Sequence, residues 1–349
     1  CLTVLDFIGQ ANKKYNFEDK FAALLSNSGQ SVAREIKNGF VSAPKGCYIQ
    51  LERQAAKYIL ENIRASYGNT AGLVARIASF EEDSGLALNL ANFLRYYHLD
   101  SRSLYKFASF SRLSVRAGVR DEFTEPLEEI LTKAMAKFAV VDSRRWIQFI
   151  LKLLENLSTL QIEEFSALER RMFRMFYMTV WGKAFDEESR EALAEKLTAL
   201  AGSPVIVREL QELLRYQYDR IDFIDEPVDL GFDCPLDLHC SYSRDQILVA
   251  MDFLKPATVR EGVKWLPEQK LDVFFVTLNK SDKDYSPTTM YNDYSINETL
   301  FHWQSQSTTG EQSATGQRYI HHKERGSRIL LFVREFKSDR ISNTAAAYT

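Results

Sequence analysis

The chain is short of the motifs that announce catalysis. No G-x-x-x-x-G-K-[ST] phosphate loop and no G-x-G-x-x-G occur in its 349 residues, so neither common device for gripping a nucleotide is present. There is no H-E-x-x-H helix for zinc and no G-x-S-x-G elbow for a nucleophilic serine. Cysteine is scarce: Cys1, Cys47, Cys234 and Cys240 include no C-x-x-C pair. Cys234 and Cys240 flank His239, but a zinc site needs four ligands and no second half lies nearby. Free thiols in a reducing cytoplasm are the expectation, with no metal and no catalytic residue in this stretch. No apolar run approaches eighteen residues and no secretory signal opens the chain, so a cytoplasmic protein without membrane contact is expected. With a net charge of −3, wholesale electrostatic capture of nucleic acid is not expected, although a local basic patch could still form.

What is present begins abruptly. Leu2-Ile8 reads as a strand apolar on both faces, which belongs in a sheet whose other strands lie upstream. Asn12-Leu25 follows as a helix, and the whole chain is expected to be a piece of a longer protein. From Ser31 to Tyr218 the apolar spacing is helical. Leu51-Ile63, Leu86-Tyr97, Pro126-Phe138 and Trp146-Leu157 carry it most plainly. Asp100, Asp142 and Asp186 each look like the start of a capped helix. Phe165-Trp181 is too apolar for a one-sided surface helix, so it is either core or a subunit contact. Asp219-Pro235 is acidic, contains both prolines of its neighbourhood and breaks the period, which marks a domain boundary. Ser243-Phe253 is a short helix opened by a serine cap, and strands dominate after it.

Two segments could bind something. Ser101-Arg120 holds Arg102, Lys106, Arg112, Arg116 and Arg120 with no acidic residue. The last three arginines fall at spacing four, so on one helix they would form a stripe able to track phosphates, or simply a solvated face. Ala117-Gly118 would interrupt such a helix. The second segment lies between the strand candidates Leu271-Leu278 and Arg328-Phe336. It is polar yet crowded with Tyr285, Tyr291, Tyr294, Phe301, Trp303 and Tyr319. A flat ligand such as an extruded base is held by ring faces plus edge hydrogen bonds. Tyr285, Tyr291, Tyr294 and Trp303 can supply the faces, although Tyr285 and Trp303 could equally fill core. Asp293, His302 and Gln304 can supply edge contacts. From Cys234 to the end fourteen basic residues balance fourteen acidic ones, which suits a pocket better than a backbone groove.

Longer blocks carry a resemblance. SRDQIL (243–248), REGVKWLP (260–267), FFVTLNKSDKDYSPTTMYNDYSINETLFHWQSQS (274–307), TGQRYI (315–320) and ILLFVRE (329–335) resemble an uncharacterised C-terminal domain that follows bacterial superfamily II helicases. LTVLDFIGQANKKY (2–15) resembles the closing strand of a second helicase lobe, and KGCYIQLERQAAKYILENI (45–63) the segment after it. The resemblance extends to SauUSI-like type IV restriction enzymes, in which this domain recognises the target. It implies DNA carrying 5-methyl- or 5-hydroxymethylcytosine as partner, bound by base flipping. It also implies nuclease and helicase domains elsewhere in the parent protein, which would hold ATP and magnesium; this stretch itself needs no cofactor. The expected architecture is α+β: a helicase remnant at 1–28, a helical connector at 29–222, and a β-rich domain at 234–349, for which the implied function suggests a PUA- or SRA-like barrel. Two rivals are a homodimerising scaffold built on Phe165-Trp181 and a helicase accessory gripping forked or single strands without base preference.

Overall fold

The computed structural model of the chain describes residues 21, 32–40, 43, 47–66, 69–97, 99–259, 262–279, 293–297, 300–306, 309–339, 341 and 345–349. The expected strand Leu2-Ile8, most of Asn12-Leu25 and both Tyr285 and Tyr291 lie outside these residues. The chain forms two compact units, residues 1–124 and 125–349.

The first unit is helical. Its helices are α1 (Val32–Asn38), α2 (Arg53–Ser66), α3 (Thr70–Ser84), α4 (Leu90–Tyr97), α5 (Ser101–Tyr105) and α6 (Phe110–Arg116). Short polar side chains start them: Asn69 Oδ1 accepts from Gly72 N, and Ser109 caps α6 by accepting from Arg112 N. Phe80, Phe93, Tyr97 and Phe110 meet edge-on or tilted in its core, with Phe93 5.0 Å from Tyr97 and 5.4 Å from Phe110.

The second unit opens with α7 (Glu128–Phe138), α8 (Arg144–Glu155), α9 (Ala167–Trp181), α10 (Arg190–Ala201) and α11 (Pro204–Tyr218). The apolar helix anticipated at Phe165-Trp181 is α9, and Met172, Phe173, Met175, Phe176 and Tyr177 are all buried in the core of this unit. Trp146 of α8 is wholly buried beside it, donating its indole N–H to the Met172 carbonyl at 3.2 Å.

The stretch anticipated as a domain boundary, Asp219-Pro235, lies inside this second unit, and polar groups at the start of α8 hold it there. Arg144 ion-pairs with Asp225 at 2.6 Å and donates to the carbonyls of Ile221 and Phe223. Arg145 pairs with Asp237 and donates to the carbonyls of Cys234 and Leu236. Ser143, the cap of α8, donates its hydroxyl to Asp237 at 2.6 Å. Thus the short ladder of β1 (Glu226–Pro227) with β2 (Asp237–Leu238) is tied to the helical core. The following α12 (Arg244–Ala250) packs on α9, with buried Gln246 donating to Thr179 at 2.8 Å. Asp252, just past its end, receives both Arg171 and Arg174 of α9.

Beyond it, β3 (Val263–Leu266), β4 (Leu271–Thr277) and β7 (Arg328–Arg334) form a sheet in the order β3–β4–β7. The turn joining β3 to β4 pairs them antiparallel; β4 and β7 are parallel. A parallel pair requires a long crossover. That crossover carries the ladder of β5 (Tyr294–Ser295) with β6 (Phe301–His302), and α13 (Ala314–Ile320). All seven residues of β4 are buried, as a strand covered on both faces should be.

The molecule is therefore α+β as anticipated. The PUA- or SRA-like barrel is not what the described strands form. Closure needs every strand to have two neighbours, whereas among the described residues the outer edge of β7 is met at Val333 by Thr349 alone. Among the described residues no helix is long and apolar enough to cross a membrane.

Candidate functional site

One face of the β3–β4–β7 sheet gathers the aromatic residues. Trp265 of β3 pairs in register with Asp272 of β4, and Phe274 lies two residues on, pointing the same way. Onto this face come Trp303, from the segment after β6, and Arg318 and Tyr319, from α13. Trp303 stacks on Phe274 with centroids 4.1 Å apart and planes 26° from parallel. Tyr319 stands edge-on to both, at 5.0 Å from Phe274 and 5.6 Å from Trp303. The Arg318 guanidinium lies 4.2 Å above the Trp265 ring. Asp272, with no exposed side-chain surface, takes Arg318 Nε and Nη2 at 2.8 and 2.9 Å.

Local chemistry places these groups. Ser313 caps α13 by accepting from Gly316 N. A Cβ on Gly316 would sit 2.2 Å from the Gly310 carbonyl oxygen, so only glycine lets the helix start against the turn before it. Asp293 is buried and accepts from Gln304 N at 3.0 Å, which steers the chain past Trp303.

A second aromatic feature faces outward. Tyr294 and His302 are directly opposed in the β5–β6 ladder, and their rings stack at 4.9 Å and 29°. The ladder continues through Ile296 N donating to the Leu300 carbonyl. Alternation puts Tyr294, Ile296, Leu300 and His302 on one face, with Ser295 and Phe301 on the other. Tyr294 is 48% exposed, Ile296 57% and Leu300 56%.

The residues singled out in sequence therefore separate. Tyr294 and His302 share an outward face, whereas Trp303 has one ring face occupied by Phe274. Asp293 points into backbone, and Gln304 is exposed. Sequence reasoning passed over Asp272, Trp265 and Arg318 as a group. The available signal was the single carboxylate in the apolar run LDVFFVTL, which must find a cation if that strand is buried.

The basic stretch is less uniform than its spacing suggests. α6 ends at Arg116, and Gly118, at φ +72°, turns the chain, so Arg120 does not share a helix with Arg112 and Arg116. Arg112 pairs with Glu122, donates to the Phe123 carbonyl and lies over the Phe123 ring. Arg102 folds back on the cap residue Asp100. Lys106, Arg116 and Arg120 are exposed.

Asp225, Asp237 and Cys240 bring potential ligand atoms within 4.8 Å of one another. Both carboxylates are already engaged by Arg144 and Arg145. Burial pushes the Cys240 thiol far above its ordinary range, and the charges of Asp142 and Asp237 add to the shift. Burial likewise pushes Cys234 up to about 11. A thiol that resists ionisation is a poor metal ligand, and the cluster is an ion-paired bolt between α8 and the β1–β2 ladder. His321 and His322 bond locally, to Glu324 and to the Tyr319 carbonyl.

Comparison with protein families then bears on the sheet and not on the basic stretch. Residues 236–346 match the family described as "Domain of unknown function (DUF3427)". That domain is known from helicase-associated proteins. The DUF3427 segment contains β2, α12, the three-stranded sheet, the Tyr294–His302 ladder and α13. No curated protein matches the chain.

Proposed function

We propose that the chain is the DNA-recognition part of an ATP-dependent, modification-dependent restriction helicase, and that its DUF3427 segment holds 5-methyl- or 5-hydroxymethylcytosine. In this reading the stretch itself is non-catalytic, and the parent protein's motor and nuclease lie elsewhere. The observation that carries it is the outward Tyr294–His302 stack, an exposed ring surface of the kind on which a lifted base packs. Trp303, backed by Phe274, and the exposed Gln304 close to it supply a further ring edge and an amide. Lys106, Arg116 and Arg120 are the cations of the basic stretch most open to phosphates.

The test is binding of a duplex carrying one 5-methylcytosine to the full 349-residue chain and to its Tyr294→Ala and His302→Ala variants. Loss of a base-stacking ring should weaken binding about ten- to a hundredfold with the fold unchanged. Variants that bind as tightly as the parent chain would remove the stack from the site.

A second reading is favoured by Asp293. Its carboxylate accepts from Gln304 N, so it is already committed to positioning the backbone rather than to a cytosine amine. A grip on single or forked strands by stacking alone, without base preference, follows from that. Steep salt dependence with no response to methylation supports this second reading against the first.

A further inference from the structure

The Asp272–Arg318 pair is more than the packing of the DUF3427 segment requires. Taking a carboxylate fully out of water is costly, and apolar residues of similar volume commonly match or exceed a buried ion pair in stability. Asp272 is nevertheless the sole charged residue of β4, with no exposed side-chain surface. Arg318 is not buried to the same depth, since 18% of its side chain reaches solvent. Every contact on the inner side restrains it. Asp272 takes Nε and Nη2, Trp265 backs the guanidinium plane at 4.2 Å, and the Tyr319 ring flanks it at 5.5 Å. A guanidinium carries five N–H groups; Asp272 accepts from two of its nitrogens, and the part of the side chain that reaches solvent is where an outside acceptor can approach it. An arginine already locked in one orientation loses little further freedom on binding.

We propose that Arg318 is a contact residue that donates to an acceptor atom of bound DNA, with Asp272 and Trp265 as the residues that position it. This rests on the DNA reading above and names a residue that reading does not use. The acceptor is a guanine edge or a backbone phosphate oxygen, since both offer the paired acceptors a guanidinium fits.

The experiment uses the full chain with two changes. The double variant Asp272→Leu/Arg318→Met removes the charges and keeps the volume. Arg318→Lys keeps the charge and loses the planar fork. Circular dichroism and the urea midpoint report the fold, and fluorescence anisotropy reports binding to a methylated duplex and to its 7-deazaguanine counterpart. Both variants are expected to fold and to bind at least about tenfold more weakly. If the acceptor is a guanine edge, the deaza duplex weakens the wild type and costs the variants nothing more. If it is a phosphate, the loss is uniform across duplexes and the salt slope falls by about one in the double variant but not in Arg318→Lys, which keeps the charge. A folded double variant that binds like the wild type overturns the inference, and so does failure of both variants to fold, which would make the pair a structural bolt. The modification reading fails separately, when the wild type binds methylated and unmethylated duplexes equally while still depending on Arg318. A wild type that binds neither duplex removes both.

Discussion

Arg112 in the first unit and Arg318 in the second make the same kinds of contact with opposite consequences. Each lies over an aromatic ring, at 4.4 Å from Phe123 and 4.2 Å from Trp265, and each pairs with a carboxylate. The partner of Arg112 is Glu122, whose side chain is 69% exposed; the partner of Arg318 is Asp272, at 0%. Arg112 also finds its partners ten and eleven residues along the chain, where the turn at Gly118 brings them back. Arg318 reaches forty-six residues back to a central strand. A local, solvated pair shapes a loop and is screened by water. A buried pair fastens a helix to a sheet and leaves an orphaned charge when either member is lost. The arginines that stand out in the sequence, at spacing four, include the weaker kind; the stronger one is isolated in TGQRYI.

The comparison is most directly broken at Asp272. Asp272→Ala leaves Arg318 without its counter-charge and should lower the urea-unfolding free energy of the second unit by about 3–5 kcal/mol. A loss below about 1 kcal/mol would mean that the pair does not fasten α13. Gly316→Ala attacks the same attachment sterically, driving a Cβ against the Gly310 carbonyl, and should cost about 1–3 kcal/mol in thermal or urea unfolding. An unchanged midpoint would show that the turn before α13 yields freely.

Glu188 provides an intermediate case that pH can read. Its side chain is largely covered; Lys196, then Lys183, hold its carboxyl at about 2 against an ordinary 4.5, and Tyr177 donates to it as well. Because the folded value is the lower one, this stabilisation is whole above about 4.5 and is lost as pH falls toward about 2. The stability gap between the parent chain and Glu188→Gln should therefore be constant near neutrality and close across that acid window. A gap independent of pH would show that the ion pair contributes nothing. The smallest effect is expected at Glu122→Ala, where a largely solvated partner is removed: the thermal midpoint should not move measurably, and a clear drop would erase the distinction between the two arginines.

Those features depending on near neighbours were legible in the sequence. LDVFFVTL and RILLFVREF became β4 and β7 with ends shifted by one or two residues; the apolar run of β4 is buried at every position, whereas that of β7 is half-buried or exposed throughout. Helix starts were right in place but not always in residue. At Asp142-Ser143 the serine caps α8, while Asp142 turns to Ser241 N at 2.6 Å. Asp186-Glu-Glu became a single 3-10 turn, and α10 starts after the cap Ser189. Features made by distant partners were not legible. The parallel β4–β7 pairing, the ion pair of Asp272 with Arg318 and the tie of Ser143 to Asp237 across ninety-four residues leave no periodic trace. In the aromatic stretch, composition drew attention to a segment whose rings the fold then separates. Which ring turns outward was decided by strand alternation in a ladder only two residues long on each side.

The central claim, that this chain reads a modified cytosine, is tested most directly by competition at physiological salt. The 349-residue chain is bound to a labelled duplex carrying 5-methylcytosine and displaced by unlabelled duplexes of the same sequence with and without the methyl group. The account predicts that the methylated competitor displaces at roughly tenfold lower concentration or better. Equal displacement by the two competitors would contradict it.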